Sequence, residues 1–256
     1  MRNYRGSWQI MQETNLNIKL INYTPNPERT VAAAARLCYS PVGANKLVEE
    51  MTDKEIEDLL AIILGNRHYS TLEHVSFTFA IEGISRVTSH QLVRHRLASY
   101  SQQSQRYVRE KEQFDYIIPD KIKGDKELVE IFEENMWQQQ QKYDELTKKL
   151  MENGYQEKEA IEAARYLLPN ATETKIVVSM NARSLLHFFE VRCCERAQKE
   201  IRKMAREMLR QVKDIAPIIF NSAGPLCETE RRCKEGKMSC GRLNKITSKG
   251  VDNTNE

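Results

Sequence analysis

The chain has 256 residues, 40% of them hydrophobic, and its 39 Lys and Arg nearly balance 36 Asp and Glu, for a net charge of +3. This balance excludes a uniformly basic nucleic-acid-binding protein and suits a globular one. No apolar run approaches the roughly 20 residues that a membrane-spanning helix needs. Residues 1–8 also lack the apolar core of a signal peptide, so we expect a cytoplasmic protein whose six cysteines are mostly reduced.

The N-terminal part predicts an arm, a strand and two helices. Residues 1–15 are polar without periodicity and predict a loosely attached arm. Apolar and polar residues alternate over 16–20, which predicts a strand. A helix is expected to begin at Pro27, which suits a first turn. The capping-box pattern at 52–55 predicts another helix, which ends near Gly65.

Two histidines precede the next strand. His68 and His74 flank Ser70 and Glu73, and strict alternation over 75–81 then predicts a strand with one buried face. A metal bound by two helical histidines needs i,i+4 spacing, which this pair does not have. The sequence therefore predicts no metal site here, and a simple capping role for both histidines stays open.

A polar, cationic stretch follows. Residues 84–96 predict a helix on which Gln91, Arg94 and His95 share one face. Residues 94–107 hold three arginines, three serines and three glutamines, with no glycine or proline. Guanidinium groups match phosphate oxygens in pairs, and burying them without an anion costs roughly several kcal/mol per ion. An anion site is one interpretation, and a solvated helix face or an RNA-binding surface is the other.

The second half is mainly helical. Residues 125–154 predict an amphipathic helix whose apolar side could meet a partner subunit. A further helix over 157–168 ends at Pro169. A strand over 172–180 leads into a helix for which Asn181 is a good N-cap.

The C-terminal region is rich in cysteine. Three tail thiols fall within fourteen residues, but their spacings of five and six intervening residues are not those of a zinc ribbon. We favour ordinary reduced thiols, with zinc, an iron–sulfur cluster or a disulfide as the less favoured alternatives. Beyond Gly241 the polar sequence predicts disorder. The cysteines concerned are Cys193, Cys194, Cys227, Cys233 and Cys240.

Several of these segments together resemble one enzyme family. Arg94-His95-Arg96, followed by Ser104 and by Arg106 two positions later, closely resembles the signature of the flavin-dependent thymidylate synthases. The resemblance extends over residues 16–219. The other matching segments are H-x-[ST]-x-x-E-H at 68–74, R-x-x-L-P at 165–169, N-x-R-S-L-x-x-F at 181–188 and A-Q-x-E-I-R at 197–202.

The resemblance implies a fold and an activity. The fold is α+β, with a mostly antiparallel sheet flanked by helices and a long helical segment. A single domain over 16–220 would lie between the 1–15 arm and a cysteine-containing, partly disordered tail at 221–256. The reaction is reductive methylation of dUMP to dTMP with methylenetetrahydrofolate as carbon donor. FADH2 supplies the hydride, NADPH re-reduces the flavin, and the sites lie between subunits of a homotetramer that binds no nucleic acid.

The resemblance also assigns site residues. Arg192 is the catalytic residue, and because a guanidinium keeps its proton in proteins, its role would be electrostatic. None of the six cysteines lies in the signature segments, which agrees with a route that needs no cysteine nucleophile. The implied dUMP-binding residues are Gln91, Arg94, Gln102, Gln103, Ser104, Gln105, Arg106, Arg165 and Arg192. The implied flavin-binding residues are Ser70, Arg94, His95, Arg96, Gln102, Asn181, Arg183 and His187.

Three positions depart from the family pattern. Gln102 stands where many relatives have Glu, Gln105 where many have Gly, and His187 where an Asn is common. These departures keep open a family-like protein that has lost its activity. The cluster from Arg94 to Arg109 keeps open a basic RNA- or DNA-binding protein, which would bind with a steep salt dependence and without colour.

Overall fold

In a computed structural model of the chain, the described residues are 13–108 and 114–248. Most of the expected N-terminal arm, and Arg109 of the basic cluster, lie outside them. Within the described part, no helix is both long and apolar enough to cross a bilayer. The chain divides into two compact units, which comprise residues 13–17, 81–94 and 100–177 in the first and 18–80, 95–99 and 178–248 in the second.

Four strands form one sheet in the order β1-β2-β4-β3. The hydroxyls of Thr78 and Ser179 lie 2.7 Å apart, and the Gly83 N–H donates to the Glu173 carboxylate at 2.8 Å. Residue numbers thus fall along β4 as they rise along β2, so this pair is antiparallel. The predicted α+β class is confirmed. The strands are β1 (Asn17–Tyr23), β2 (Ser76–Ser85), β3 (Ser99–Gln102) and β4 (Glu173–Asn181).

The described residues also form eleven α-helices. The predicted capping box is present, with the Thr52 hydroxyl and the Glu55 carboxylate each bonded to the other residue's backbone N–H. Three short 3-10 helices span Tyr69–His74, Arg165–Leu167 and Gly236–Met238. The α-helices are α1 (Pro27–Leu37), α2 (Ala44–Glu50), α3 (Asp53–Gly65), α4 (Arg86–Leu92), α5 (Lys126–Glu152), α6 (Glu157–Ala164), α7 (Ala182–Arg192), α8 (Lys199–Ile215), α9 (Pro217–Phe220), α10 (Leu226–Thr229) and α11 (Arg242–Ser248).

Two helix predictions need correction. The helix expected to reach residue 96 ends at Leu92, so Arg94 and His95 lie beyond it and share no helix face with Gln91. Burial raises the pKa of Tyr100 to about 12, and its hydroxyl donates to the Leu92 carbonyl at 2.9 Å, which satisfies one of the open carbonyls at the helix end. The second correction is in the tail, where disorder was predicted beyond Gly241 but α11 forms over Arg242–Ser248; the rest of that prediction, residues 249–256, lies outside the described residues.

Each unit has its own apolar core. In the first, Phe114, Tyr116, Ile118 and Met136 form a buried cluster. In the second, the inward side chains of β2 begin with a fully buried Phe77, whose ring packs edge-on against another aromatic ring at 5.4 Å. The predicted alternation of β2 is therefore present. These cores fix the ends of the strands and helices that carry the polar residues below.

Candidate active site

Gln102, on β3 of the first unit, is anchored by its side-chain amide. Its Nε2 donates to Ser89 Oγ at 3.1 Å and to Thr174 Oγ1 at 3.0 Å. The Ser89 hydroxyl donates its proton to the Arg86 carbonyl at 3.0 Å, so towards residue 102 it can only accept a hydrogen bond. The side-chain amide of Gln102 supplies the donor that this contact needs. The departure from the family's Glu therefore has matched partners in this chain.

The polar run continues into a tight turn after β3. The Gln103 N–H donates to a β4 carbonyl at 2.9 Å. The Ser104 hydroxyl accepts from the Arg106 N–H at 3.2 Å, and its carbonyl accepts from the Tyr107 N–H at 3.3 Å. Gln105, inside the turn, is not among the described residues with positive φ, so its conformation does not require the glycine that many relatives have.

Two of the predicted dUMP-binding residues meet at one acidic residue. The Arg106 guanidinium donates to the Glu162 carboxylate at 2.8 Å, and Arg165 Nε donates to the Glu162 carbonyl at 3.2 Å. Arg106 Nε is buried without a hydrogen-bond partner, which is a costly state for a donor. The structure therefore brings Arg106 and Arg165 together with one donor still to be satisfied, and an anion with several acceptor oxygens would fit.

Arg86 is a cation that sequence reasoning missed. It opens α4 and is half-buried; burial, and then the like charge of Arg165, lower the pKa of its guanidinium. Two neighbouring cations favour an anion between them. No sequence pattern points to Arg86, because its proximity to Arg165 arises only when residues 79 positions apart fold together.

Gln91 and Arg94 complete the predicted set in the first unit. Gln91 lies half-buried in the last turn of α4, and Arg94 is exposed in the turn that follows. The structure thus gives Arg94 an accessible guanidinium.

In the second unit, the start of α7 carries two predicted flavin ligands, Asn181 and Arg183. Asn181 Oδ1 accepts from the Ser184 N–H at 2.8 Å, which confirms the predicted N-cap. Arg183 forms an ion pair with Glu73, which belongs to the 3-10 helix before β2. Ser70 is exposed on that same 3-10 helix. The H-x-[ST]-x-x-E-H segment and the start of α7 are therefore neighbours.

His95 connects the other two α7 residues. Its Nε2 accepts from Arg192 Nε at 3.0 Å, and its ring contacts Phe188 edge-on at 4.9 Å and lies 6.2 Å from the His187 ring. Burial, followed by the charges of Arg192 and His187, lowers the pKa of His95 to about 4. At neutral pH His95 is thus an uncharged imidazole with its proton on Nδ1, which leaves Nε2 to accept.

Arg192 is a fixed cation. Its side chain is half-buried, and burial lowers the pKa of its guanidinium, although an arginine remains charged in proteins. Helical geometry predicts that Arg192 points away from Arg183 and His187; His95 nevertheless lies against both Arg192 and His187. Arg96, the last of the predicted cofactor ligands, is exposed. A cation held by a neutral partner can stabilise developing negative charge but cannot remove a proton.

The chain matches a known protein family over most of its length. The family described as "thymidylate synthase complementing protein" matches residues 19–218. The chain is 51% identical to a flavin-dependent thymidylate synthase of Clostridium tetani over 235 residues, covering 89% of this chain and 94% of that one. It is 49% identical to one from Geobacter sulfurreducens, with coverages of 90% and 96%.

A solved structure agrees in fold. The crystal structure of PolB, a UMP/dUMP methylase from Streptomyces cacaoi bound with 5-Br dUMP, matches with a TM-score of 0.67. The match covers 83% of this chain and 96% of that one at 23% identity. At this identity the likeness supports the α+β fold.

Proposed function

Because the chain belongs to the family of flavin-dependent thymidylate synthases, we propose that it converts dUMP to dTMP with methylenetetrahydrofolate as the carbon donor. The observation that carries this proposal is the family match over residues 19–218, which includes both groups of cationic residues described above. The chain is accordingly an enzyme, a flavoprotein methyltransferase. The nucleic-acid-binding alternative is not favoured, since relatives that match most of the chain are named as this enzyme.

The residues of the second unit suit a flavin dinucleotide. Exposed Arg96 and Arg183 can meet anionic or carbonyl oxygens, and Ser70 presents an accessible hydroxyl beside α7. Asn181 uses its oxygen as a helix cap, so its amide NH2 is the part that would contact a ligand. When bound, the reduced flavin supplies the hydride, and NADPH is the reductant that regenerates it.

We assign the dUMP phosphate to the residues after β3 and their neighbours. Arg106 and Arg165 present guanidinium donors around Glu162, and the buried Nε of Arg106 has no hydrogen-bond acceptor within the chain. A phosphate carries enough acceptor oxygens for both arginines and for the Ser104 hydroxyl. The guanidinium of Arg86, which lies near Arg165, would add positive charge beside the same phosphate.

Arg192 would act on the uracil ring. C5 of uracil must become nucleophilic, and a nearby cation favours the form ionised at N3, in which charge spreads over an enolate-like system. The His95 bond at Arg192 Nε fixes the guanidinium plane, so little reorganisation is needed when charge develops. The protein thereby supplies electrostatic stabilisation and orientation.

Assembly and location are also part of the proposal. α5 exposes Leu128 and Ile131, one helical turn apart, on a helix of 27 residues. Such an apolar pair suits an interface, and we propose a homotetramer with sites between subunits. We also propose a cytoplasmic location, where cysteines are kept reduced.

The test is spectroscopic and enzymatic. Purified protein should show flavin absorbance or take up added FAD, and dUMP should oxidise the reduced flavin when the folate is present. Arg192→Ala should lower dTMP formation by about 10²–10³-fold while FAD uptake persists, as for loss of one oxyanion-stabilising donor. Arg210→Ala, which removes an exposed arginine from α8, should leave both unchanged.

Three results would contradict the proposal in whole or in part. A colourless protein that takes up no FAD would remove the function altogether. Normal turnover by Arg192→Ala would leave the function but reject the role of Arg192. A protein that binds FAD and dUMP without forming dTMP would favour the family-like protein without activity, to which the departures at Gln102, Gln105 and His187 point.

A further inference from the structure

Arg192, the cation assigned to the uracil ring, also lines a groove in the second unit. The groove has a volume of about 340 Å³, and its other lining residues belong to the end of α7, the loop after it and the tail. Pockets for small ligands range from about 300 to 1,000 Å³, so this groove can hold part of a substrate. Because Arg192 belongs to its lining, that part lies beside dUMP.

The charged lining residues leave an excess of positive charge. Four cations line the groove, against two carboxylates. Arg232 is paired from outside the lining by the Glu230 carboxylate at 2.5 Å, and even with that residue included one positive charge remains in excess. The cations are Arg192, Arg196, Arg232 and Lys234, and the carboxylates are Glu190 and Glu235.

The ion pairs within the groove are weak enough for a ligand to replace. Lys234 contacts Glu190 at 2.7 Å. Arg196 contacts Glu235 at 3.4 Å. All four side chains are partly open to solvent, and ion pairs of this kind contribute little to stability. A carboxylate on a ligand can therefore take the place of these glutamates and use the surplus positive charge.

The remaining lining is largely apolar. Burial, followed by the charge of Glu228, raises the pKa of the Cys227 thiol, so this thiol is uncharged at neutral pH and does not oppose an anion. An uncharged cysteine behaves as a small hydrophobic residue. The groove thus suits a ligand that combines an apolar ring with carboxylates. The apolar side chains are Val191, Ala197, Pro225, Leu226 and Leu243.

We propose that this groove binds the p-aminobenzoyl-glutamate tail of methylenetetrahydrofolate. The ring of the tail packs on the apolar side chains, and its glutamate carboxylates meet Arg196, Arg232 and Lys234. The inference rests on the proposed function, which makes the folate a substrate. The carbon to be transferred must reach C5 of uracil, so the folate has to lie beside the uracil ring, where Arg192 also places the groove. NADPH is anionic too, but its hydride goes to the flavin.

The first experiment compares methylenetetrahydrofolate carrying one glutamate with the same compound carrying five. In the wild type the pentaglutamate should have a KM about fivefold to tenfold lower, because its extra carboxylates meet the cations of the groove. In Arg232→Gln/Lys234→Gln this preference should fall below about twofold, while the KM for dUMP stays the same. The matched control, Arg231→Gln/Lys237→Gln, removes the same charge from exposed tail residues outside the groove and should keep the preference.

A second experiment locates the ligand without turnover. Tetrahydrofolate pentaglutamate, which lacks the carbon to be transferred, should slow the alkylation of Cys233 and Cys240 by iodoacetamide in the full-length protein with FAD and dUMP present. Both cysteines are exposed and line the groove. Cys38, which is exposed elsewhere, should react equally fast with and without the folate. NADPH should protect none of the three.

The outcomes separate this inference from the proposed function. Normal dTMP formation without a preference for the pentaglutamate would overturn the inference and leave the function intact, and so would an equal loss of preference in the control pair. Protection of Cys233 and Cys240 by NADPH and not by the folate would also overturn it, since the groove would then belong to the dinucleotide. A protein that formed no dTMP but showed folate protection of these cysteines would support the groove and reject the function.

Discussion

The contact between Arg192 and His95 defines how the proposed catalytic cation is held. Arg192 Nε donates to His95 Nε2, and the ring of His95 is packed against Phe188. Family resemblance indicated both residues but not their contact, since it joins positions 97 apart in the chain. An uncharged imidazole is essential here, because a protonated one would repel the guanidinium and could no longer accept its hydrogen bond.

The lowered pKa of His95 predicts an acid-sensitive fold. Its folded pKa is about 4 against an ordinary 6.5, so between these values the unfolded chain binds more protons than the folded one. The free energy of unfolding should therefore fall as pH drops from about 6.5 to about 4. In His95→Gln, which keeps an acceptor for Arg192 but does not titrate, this part of the decline should disappear. Urea unfolding across that pH range measures the difference.

The control removes another imidazole. His90→Gln changes an exposed histidine on α4 and shows what loss of one such ring does by itself. If the free energy of unfolding of His95→Gln fell with decreasing pH as steeply as that of the wild type, the neutral-imidazole account of His95 would be wrong.

Single residues also show where sequence reasoning stops. The cationic character of Arg106 and Arg165 was visible in the sequence, and so was the match of each to a nucleotide-binding segment of the family. Their common partner, Glu162, and the third cation, Arg86, were not visible, because both depend on long-range folding. The Gln102 departure could be noticed but not explained until Ser89 and Thr174 supplied its acceptors.

At the scale of elements, local sequence patterns predicted a helix or strand correctly where its boundaries depend on its own residues. The capping box fixed the start of α3, and alternation fixed β2. The end of α4 was predicted wrongly, because it involves a contact from outside the helix: the Tyr100 hydroxyl donates a hydrogen bond to the Leu92 carbonyl. β3 was missed because its four residues are polar and gain strand geometry through pairing in the sheet.

Gly83 in β2 gives a prediction at this scale. Its φ is +69°, and a Cβ there would stand 2.0 Å from the Asn15 carbonyl oxygen. Gly83→Ala should therefore lower the free energy of unfolding by about 2 kcal/mol or more. Gly65→Ala is the matched control: a Cβ at the last residue of α3 meets nothing within 4 Å, so stability should stay the same or rise by up to about 1 kcal/mol. Urea midpoints compare the two, and equal losses would refute the backbone argument.

For the whole molecule, the proposed homotetramer rests on apolar surface that one chain leaves exposed. Leu128 is 45% exposed and Ile131 59% exposed, on the longest helix of the described residues. Single exposed apolar residues are common, but a pair one turn apart on an amphipathic helix offers a continuous contact strip. Placing carboxylates on that strip would require burying unpaired charge in any interface that covers it.

We therefore expect the double variant Leu128→Glu/Ile131→Glu to run as a smaller species than the wild type in size-exclusion chromatography with light scattering. If the active site needs residues from more than one subunit, dTMP formation should fall with the assembly, while circular dichroism stays unchanged. Lys148→Glu alters charge on the same helix away from the apolar pair and should leave both properties intact. A double variant whose assembly kept the wild-type molar mass would show that this face of α5 is not part of an interface. A wild-type monomer that still made dTMP would show that one chain carries a complete site.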